Sequence, residues 1–223
     1  MKAVAFVTQK GGSGKSTLCV SLAVAAQEAG KSVCILEMDR QATISDWAGL
    51  RGDETPEVAQ IDATQIEAVL QRLQGGDYDY VFIDTPGIDS PGALSAIRAA
   101  DLCIVPSRPT PADLRAVRVT LAAIYRLEKR FAFVLNQTPA RSYRVRDAAE
   151  GLVTHGILPD VNVVLRNDHQ DAVGLGQGVT EFNPAGQAAE EIRKLWNWIE
   201  HRIHNAPTAA PRTRKAVAHA KAA

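Results

Sequence analysis

One stretch near the start of the chain, residues 7–17, most restricts what this sequence can fold into. It follows an apolar run at residues 3–7, which is typical of a buried strand, and it leads into residues 18–29, which have the pattern of a helix. Glycine occupies three of the positions in the turn between them. A strand, a glycine-rich turn and a helix in this order form the context that a phosphate-binding loop requires.

The residue types of this stretch suit the binding of a polyphosphate. A glycine-rich turn that feeds a helix brings several backbone N–H groups and the positive end of the helix dipole to one point. Because glycine has no Cβ, the phosphate can approach the backbone closely. The Lys15 side chain reaches the β and γ oxygens, and the Ser16 hydroxyl ligates Mg²⁺. The predicted loop residues are Gly11, Gly12, Ser13, Gly14, Lys15, Ser16 and Thr17.

A second lysine indicates which type of phosphate-binding loop this is. The ordinary pattern, G-x-x-x-x-G-K-[ST], has a glycine where this chain has Gln9, and Lys10 stands beside it. The pattern K-G-G-x-G-K-[ST] resembles the deviant Walker A loop of the ParA/MinD family of ATPases. This resemblance implies ATP and Mg²⁺ as cofactors and an ATP-sandwich homodimer. It also implies that Lys10 crosses the dimer to contact the phosphates bound by the other subunit.

The second predicted strand, residues 32–37, ends in a candidate catalytic segment. A carboxylate just beyond the C-terminal end of a parallel strand faces the ligand crevice of an open α/β sheet. The family has D-x-D-P-Q here, and its second Asp, which helps to hold the metal shell and orients the attacking water, corresponds to Asp39. The sequence departs from that pattern at Glu37 and Arg40. Glu37 keeps the negative charge on a longer side chain. Arg40 either pairs with a phosphate, with DNA or with Glu37, or it is simply a surface charge.

An apolar strand that ends at Asp84 resembles the Walker B arrangement of the same ATPases. In this arrangement the carboxylate holds the Mg²⁺ shell from the side opposite the loop hydroxyl, here Ser16. An apolar run ending in aspartate is common by itself, but it becomes specific when a phosphate loop precedes it. The resemblance therefore implies Ser16, Asp39 and Asp84 around the metal, with Lys10, Lys15 and Asp39 in catalysis.

Apolar runs that alternate with helical stretches predict the fold class. This order is typical of a parallel sheet covered on both faces. We expect an α/β fold with a doubly wound, mostly parallel sheet of about seven strands and helices on both faces, as in P-loop NTPases. Residues 161–165 are the predicted last strand. A helix from residue 185 to about residue 205 has one apolar stripe that should pack on the sheet, formed by Ile192, Leu195, Trp196, Ile199 and Ile203.

Composition limits the class of protein further. The 223 residues, 46% of them hydrophobic, are enough for one sizeable core, which we place in a single ATPase domain at residues 1–205. Lysine plus arginine balances aspartate plus glutamate at 25 each, so any affinity for nucleic acid must come from a local patch. Three widely spaced cysteines in apolar stretches indicate small buried side chains, without a metal or disulfide framework.

The sequence shows no pattern of targeting or membrane insertion. No apolar run approaches the length of about 18 residues that a spanning helix needs, and no signal peptide is evident. We therefore expect a cytoplasmic protein. We do not expect the last helix to bind a membrane, because its glutamates reduce the positive charge of its polar face. Residues 206–223 are rich in Pro and Ala, and they contain lysines and arginines but no aspartate or glutamate. We therefore expect a disordered tail. No helix-turn-helix segment precedes the loop, and we do not expect an operator-specific repressor.

Two further polar residues follow predicted strands. Asn136 resembles the adenine-contacting Asn of the family, because an amide offers both a donor and an acceptor to a purine edge. A turn-forming Asn is the alternative. Asp113, in a turn that resembles the family's "P-S-x-x-D" turn, is either a dimer-interface residue or a residue that favours a helix N-terminus.

The densest basic cluster in the body of the chain consists of Arg141, Arg144 and Arg146, with Tyr143 among them. Such a cluster fits contact with the DNA backbone. A solvated start of a helix is the alternative.

The resemblance implies a nucleotide switch. ATP would close a dimer that binds DNA nonspecifically, and a ParB-like or other partner would trigger hydrolysis. The expected role is plasmid or chromosome partition or cargo positioning on the nucleoid. The alternatives are a MinD-like membrane-associated positioning ATPase and a P-loop ligase of the dethiobiotin synthetase type.

Overall fold

A six-stranded sheet forms the centre of the computed structural model, which describes residues 1–87 and 90–205. The strands are β1 (Lys2–Phe6), β2 (Val33–Glu37), β3 (Glu57–Gln60), β4 (Tyr80–Asp84), β5 (Leu102–Ser107) and β6 (Phe131–Leu135). Their order is β3-β2-β4-β1-β5-β6, and every pairing is parallel. This order sets the C-terminal ends of β2, β4 and β1 side by side, where the crevice of an open α/β sheet lies.

Helices cover both faces of this sheet. They are α1 (Lys15–Glu28), α2 (Thr43–Leu50), α3 (Ile66–Leu73), α4 (Pro91–Ala99), α5 (Pro111–Arg126), α6 (Tyr143–Val153), α7 (Asn167–Gly174), α8 (Val179–Phe182) and α9 (Gln187–Asn205). Buried residues of α1, α2, α7, α8 and α9 form the core on one face. Those of α3, α4, α5 and α6 form the core on the other face.

The strands are apolar along their whole length because both of their faces are buried. In β1, Val4 and Phe6 point into the first core, whereas Ala3 and Ala5 point into the second. This alternation follows from the two-residue repeat of a strand. The predicted α/β class with a doubly wound parallel sheet is confirmed.

The described residues form six strands, slightly fewer than the predicted count of about seven, because residues 161–165 do not form a strand. They make one isolated parallel bridge, between Thr138 and Val164, and a second isolated bridge pairs Ala132 with Ile157. Gln137 has a φ of 51°, which ends the extended course of β6 before a ladder can continue. Pro159 lies between the two bridges and has no N–H to donate. The segment therefore follows β6 without regular pairing.

The predicted apolar stripe of the last helix is confirmed. All five of its residues on α9 are buried. Trp196 packs on β4, with its ring centroid 5.0 Å from that of Tyr80 and 6.0 Å from that of Phe82. Among the described residues, no helix has both the length and the apolar character needed to cross a membrane. The predicted tail at residues 206–223 lies outside the described residues.

The glycine-rich turn between α7 and α8 holds α2 in place. Gly176 has a φ of 69°, and a Cβ on it would lie 2.6 Å from the backbone nitrogen of Arg51. The Arg51 guanidinium donates to both carboxylate oxygens of Glu181, at 2.8 and 2.6 Å. The Trp47 indole N–H donates to the Gln177 carbonyl at 3.1 Å. These contacts fix the helix that follows the Asp39 segment.

Candidate functional site

The loop predicted to bind phosphate lies between β1 and α1. Gly12 and Gly14 have φ angles of 72° and 83°, which favour glycine because a Cβ is strained there. In the described part of the chain no side chain caps α1, and its first turn contains no acid. The free N–H groups of this helix end and its dipole therefore favour an anion at the loop.

Two side chains that follow β6 brace the loop from below. The Asn136 amide donates to the Ser13 carbonyl at 2.8 Å, and the Gln137 amide donates to the Gly12 carbonyl at 3.3 Å. A Cβ on Gly14 would lie 2.5 Å from Asn136 Nδ2, so this close approach also requires glycine. No motif in the sequence marked Gln137; its place directly after Asn136 was the only signal.

Ser16 and Asp84 meet beneath the loop. The Ser16 hydroxyl donates to Asp84 Oδ2 at 2.7 Å. β4 brings Asp84 here because it pairs with β1, and their last residues, Phe6 and Asp84, are register partners. The other carboxylate oxygen, Asp84 Oδ1, is buried and has no hydrogen-bond partner among the described residues. The pair predicted from separate motifs is therefore in direct contact.

The surroundings of Asp84 fit a hard divalent cation. Burial raises the pKa of Asp84 to about 7, although the Ser16 hydrogen bond and the charge of Lys15 lower it. A cation at the unpartnered oxygen would favour the ionised carboxylate. A carboxylate and a hydroxyl beside an anion-binding loop suit Mg²⁺, which uses one or two carboxylates together with substrate phosphates.

Asp39 lies in the turn between β2 and α2. Its carboxylate accepts a hydrogen bond from the Gln41 backbone N–H at 3.0 Å, which keeps the turn closed. Asp39 and Arg40 line an open cleft of about 750 Å³ that also includes Pro86 and Gly92. Asp39 follows β2 by two residues, and β2 pairs with β4 so that Glu37 and Asp84 are register partners. The charge of Asp39 is a minor cause of the raised pKa of Asp84. Solvent can reach Asp39 through this cleft.

Glu37 has a structural role that its sequence position did not reveal. The side chain is fully buried, and its carboxylate accepts hydrogen bonds from the backbone N–H groups of Ile44 at 2.7 Å and Ser45 at 2.9 Å. The Ser45 hydroxyl donates to it as well, at 2.5 Å. An anion at these N–H groups satisfies the first turn of α2 and interacts favourably with its dipole. The arm of Glu is long enough to reach the helix from the strand.

Lys10 is bound to α5. Its ammonium donates to Asp113 Oδ2 at 3.2 Å. Asp113 is nearly fully buried and also accepts from Arg108 at 3.1 Å and from the Thr110 hydroxyl. Burial raises the pKa of Asp113, but the hydrogen bonds from Thr110, Arg108 and Lys10 outweigh it, so that the pKa is lowered. Both interpretations of Asp113 from the sequence remain open, because the residue lies in the first turn of α5 and contacts Lys10.

A small cavity of about 70 Å³ lies beside the loop on the side of β6. Its lining includes Thr17, Asn136, Gln137 and His169. His169 Nε2 is buried without a partner among the described residues, and burial lowers the pKa of this imidazole. No motif marked His169 in the sequence. A contact between Asn136 and adenine stays a prediction, since the amide donor is engaged with the loop.

The three arginines predicted to contact DNA lie at the start of α6. Arg141 precedes the helix, while Arg144 and Arg146 are in its first turn, and all three are exposed. Arg146 lies 4.0 Å from Glu150, and the Arg144 guanidinium lies 6.0 Å from the centre of the Tyr143 ring. Cations at a helix N-terminus oppose its dipole, so their presence there is not explained by helix stability.

Comparison with known families finds one domain. Residues 4–162 match the family described as the CobQ/CobB/MinD/ParA nucleotide binding domain. This span contains the phosphate loop, Asp39, Asp84 and Asn136.

Individual relatives agree with this match. The chain is 33% identical over 121 residues to the maintenance of carboxysome distribution protein A of Gloeobacter kilaueensis, an alignment that covers 54% of this chain and 55% of that protein. The chain thus spans about half the length of that relative. It is 22% identical over 244 residues to the chromosome-partitioning ATPase Soj of Thermus thermophilus, covering 92% of this chain and 98% of Soj.

A solved structure supports the fold. The septum site-determining protein MinD of Pyrococcus horikoshii OT3, complexed with Mg-ADP, superposes with a TM-score of 0.71 over 89% of this chain and 96% of that one. The identity is 20%, so this likeness concerns the fold alone.

Proposed function

The chain belongs to the CobQ/CobB/MinD/ParA nucleotide-binding family, and from this we propose that it is an Mg²⁺-dependent ATPase that works as a nucleotide switch. The observation that carries the proposal is the contact between Ser16 and Asp84 below an uncapped helix N-terminus, with one carboxylate oxygen left buried and unpartnered within the described residues. This arrangement is complementary to a phosphate chain with its cation.

Each residue of the site has a task in ATP hydrolysis. The loop N–H groups and Lys15 hold the β and γ phosphates, and Ser16 and Asp84 hold the metal shell. When bound, Mg²⁺ would supply positive charge that stabilises the negative charge on the phosphate oxygens. Asp39 orients the attacking water, which enters through the cleft beside it. Thr17 and Asn136 line a small cavity beside the loop, and we expect the nucleoside to follow the phosphates towards it.

Hydrolysis is slow in the isolated protomer because one catalytic cation comes from the second subunit. Lys10 is engaged with Asp113 on α5. In an ATP-sandwich homodimer Lys10 would leave that partner and contact the phosphates of the other subunit. A positive charge at the transferred phosphoryl group is a large part of catalysis in such enzymes.

The dimer binds DNA nonspecifically, and a ParB-like or other partner protein stimulates hydrolysis. Two of the relatives are named for carboxysome distribution and chromosome partitioning, which supports a role in plasmid or chromosome partition or in positioning another cargo on the nucleoid. Arg141, Arg144 and Arg146 are proposed DNA contacts, since they are exposed. A MinD-like membrane role is less well supported, because the apolar stripe of α9 is buried in the core.

The test is binding to random-sequence duplex DNA with ATP, with ADP and without nucleotide. Wild type should bind only with ATP, Asp39→Ala should keep ATP-dependent binding while losing hydrolysis, and Lys15→Ala should lose both. If no nucleotide supports DNA binding by wild type, the switch on DNA is wrong. Liposomes would then test the membrane alternative.

A further inference from the structure

One face of α5 carries arginines that no described residue neutralises. Arg115, Arg118 and Arg126 are exposed. None of them forms an ion pair or a hydrogen bond within residues 1–87 and 90–205. In contrast, Arg146 on α6 pairs with Glu150, and Lys194 on α9 pairs with Glu190. We call the three unpaired arginines the α5 arginine face.

Helical geometry places the three side chains together. At about 100° for each residue, Arg115, Arg118 and Arg126 fall within an arc of about 80°. The opposite side of α5 is buried in the core through residues such as Val117 and Ile124. The rise from Arg115 to Arg126 is about 16 Å. The arginines therefore form one straight row on the outside of a helix that is anchored along its length.

No exposed carboxylate of α5 interrupts this row. Asp113 is the only acidic residue in the helix, and it is buried and bound by Lys10 and Arg108. The cluster on α6 differs, because Asp147 and Glu150 lie on the same helix. The field of the α5 arginine face is therefore less reduced by acids of its own helix than that of the α6 cluster.

The face fits a polyanion better than a protein surface. Between the arginines lie only small or moderate apolar side chains, Val119 and Ala122, and no aromatic anchor. Protein interfaces depend on a few large buried anchors. Guanidinium groups, in contrast, bind phosphate through two N–H groups at once and stay charged at any pH of interest. A row of about 16 Å matches roughly five base pairs at about 3.4 Å each.

We propose that the α5 arginine face binds the phosphate backbone of double-stranded DNA. This inference rests on the proposed function and names the surface that carries its DNA contact. α6, which carries Arg144 and Arg146, packs on the same face of the sheet as α5. Backbone contacts of this kind carry no base specificity, as a nonspecific binder requires.

The experiment is a salt titration of binding to random-sequence duplex DNA in the presence of ATP. It compares wild type with Arg115→Gln/Arg118→Gln, with Arg115→Lys/Arg118→Lys, and with a matched double variant, Lys2→Gln/Lys31→Gln. The lysines of the matched variant already have carboxylate partners, at 3.6 Å from Asp101 and 2.9 Å from Glu200. They lie at the N-terminal edge of the sheet, at the start of β1 and just before β2, whereas Arg115 and Arg118 are in the first half of α5, which follows the C-terminal end of β5. Circular dichroism and thermal unfolding verify that every variant is folded.

The Gln variant on α5 should bind about tenfold more weakly at moderate salt, and its plot of log K against log salt should be less steep by about 0.9 for each phosphate that the variant no longer neutralises. The Lys variant should keep most of the slope, and the matched variant should change by less than about twofold. If wild type binds with ATP and the α5 Gln variant binds equally well, this inference is wrong while the proposed function stands. If wild type shows no ATP-dependent binding, both fall.

Discussion

At the residue scale, the folded protein without a bound cation disfavours the ionised form of the Asp84 carboxylate. Burial raises its pKa from the ordinary 3.8 to about 7. An acid whose pKa rises on folding holds its proton more tightly in the folded state. Its contribution to stability is therefore complete below pH 3.8 and is lost as the pH rises through about 7. The nucleotide-free protein should lose stability across this range.

Asp84→Asn tests this account because it removes the buried charge and keeps the shape. Without nucleotide at about pH 8, the variant should be more stable than wild type, by about 1.4 kcal/mol for each unit by which folding raises the pKa. The difference should shrink as the pH is lowered towards about 4. Urea unfolding at several pH values measures it, and Mg²⁺-dependent ATP binding should be lost in parallel. Equal stability under the alkaline condition would mean that burial does not disfavour the charge of Asp84.

At the element scale, α2 depends on an acceptor from the neighbouring strand. Glu37 accepts three hydrogen bonds from Ile44 and Ser45, and Arg51 ties the other end of the helix to Glu181. The turn that carries Asp39 lies between Glu37 and this helix. The geometry of this turn therefore depends on the hydrogen bonds between Glu37 and α2, which fix the two ends that the turn connects.

Glu37→Asp restores the residue of the ParA/MinD pattern, yet it should weaken this protein. The shorter arm cannot reach the N–H groups of α2, and loss of such a cap costs about 1–2 kcal/mol. Chemical denaturation should show this loss, with a lower ATPase rate because Asp39 is less well positioned. Ser45→Ala, which removes only the hydroxyl donor, is the milder control. Should Glu37→Asp equal wild type in stability, the length of the side chain would be irrelevant to α2.

At the scale of the whole molecule, the proposed mechanism requires a second subunit. Lys10 is bound by a residue that lies 103 positions away in the chain. Contact with the phosphates of another protomer requires this ion pair to open. The activity of the isolated protomer should therefore be low, and the specific activity should rise with protein concentration.

Lys10→Ala should abolish that concentration dependence. At saturating ATP and high protein concentration its hydrolysis rate should fall about 100-fold or more, the size of effect expected for one lost charge at the transition state. Binding of ATP to the protomer should remain, as measured with a fluorescent analogue. Lys31→Ala, which removes a lysine paired with Glu200, serves as the control. Full, concentration-dependent activity in Lys10→Ala would exclude a role for this lysine across a dimer.

Contiguous motifs explain what could be predicted from the sequence. The phosphate loop is a strand, a turn and a helix within a single short segment, so its residues are local and its context is visible directly. Asp84 was predictable for the same reason, since an apolar strand ends at it. The fold class followed from the alternation of apolar runs and helical stretches. The strand count differed by one because the bend at Gln137, with its φ of 51°, is a local backbone feature that the apolar composition of residues 161–165 does not reveal.

Side-chain partners were decided by the tertiary structure alone. Asn136 donates a hydrogen bond to a carbonyl 123 positions away in the chain. Glu37 has the negative charge of the family pattern, but its carboxylate accepts hydrogen bonds from the first turn of α2. A residue type states which hydrogen bonds a side chain can form, but only the packed fold determines which groups come within reach. The same holds for α5. Its arginines are visible in the sequence, but the packing of one side of the helix on the sheet decides that three of them share an exposed face.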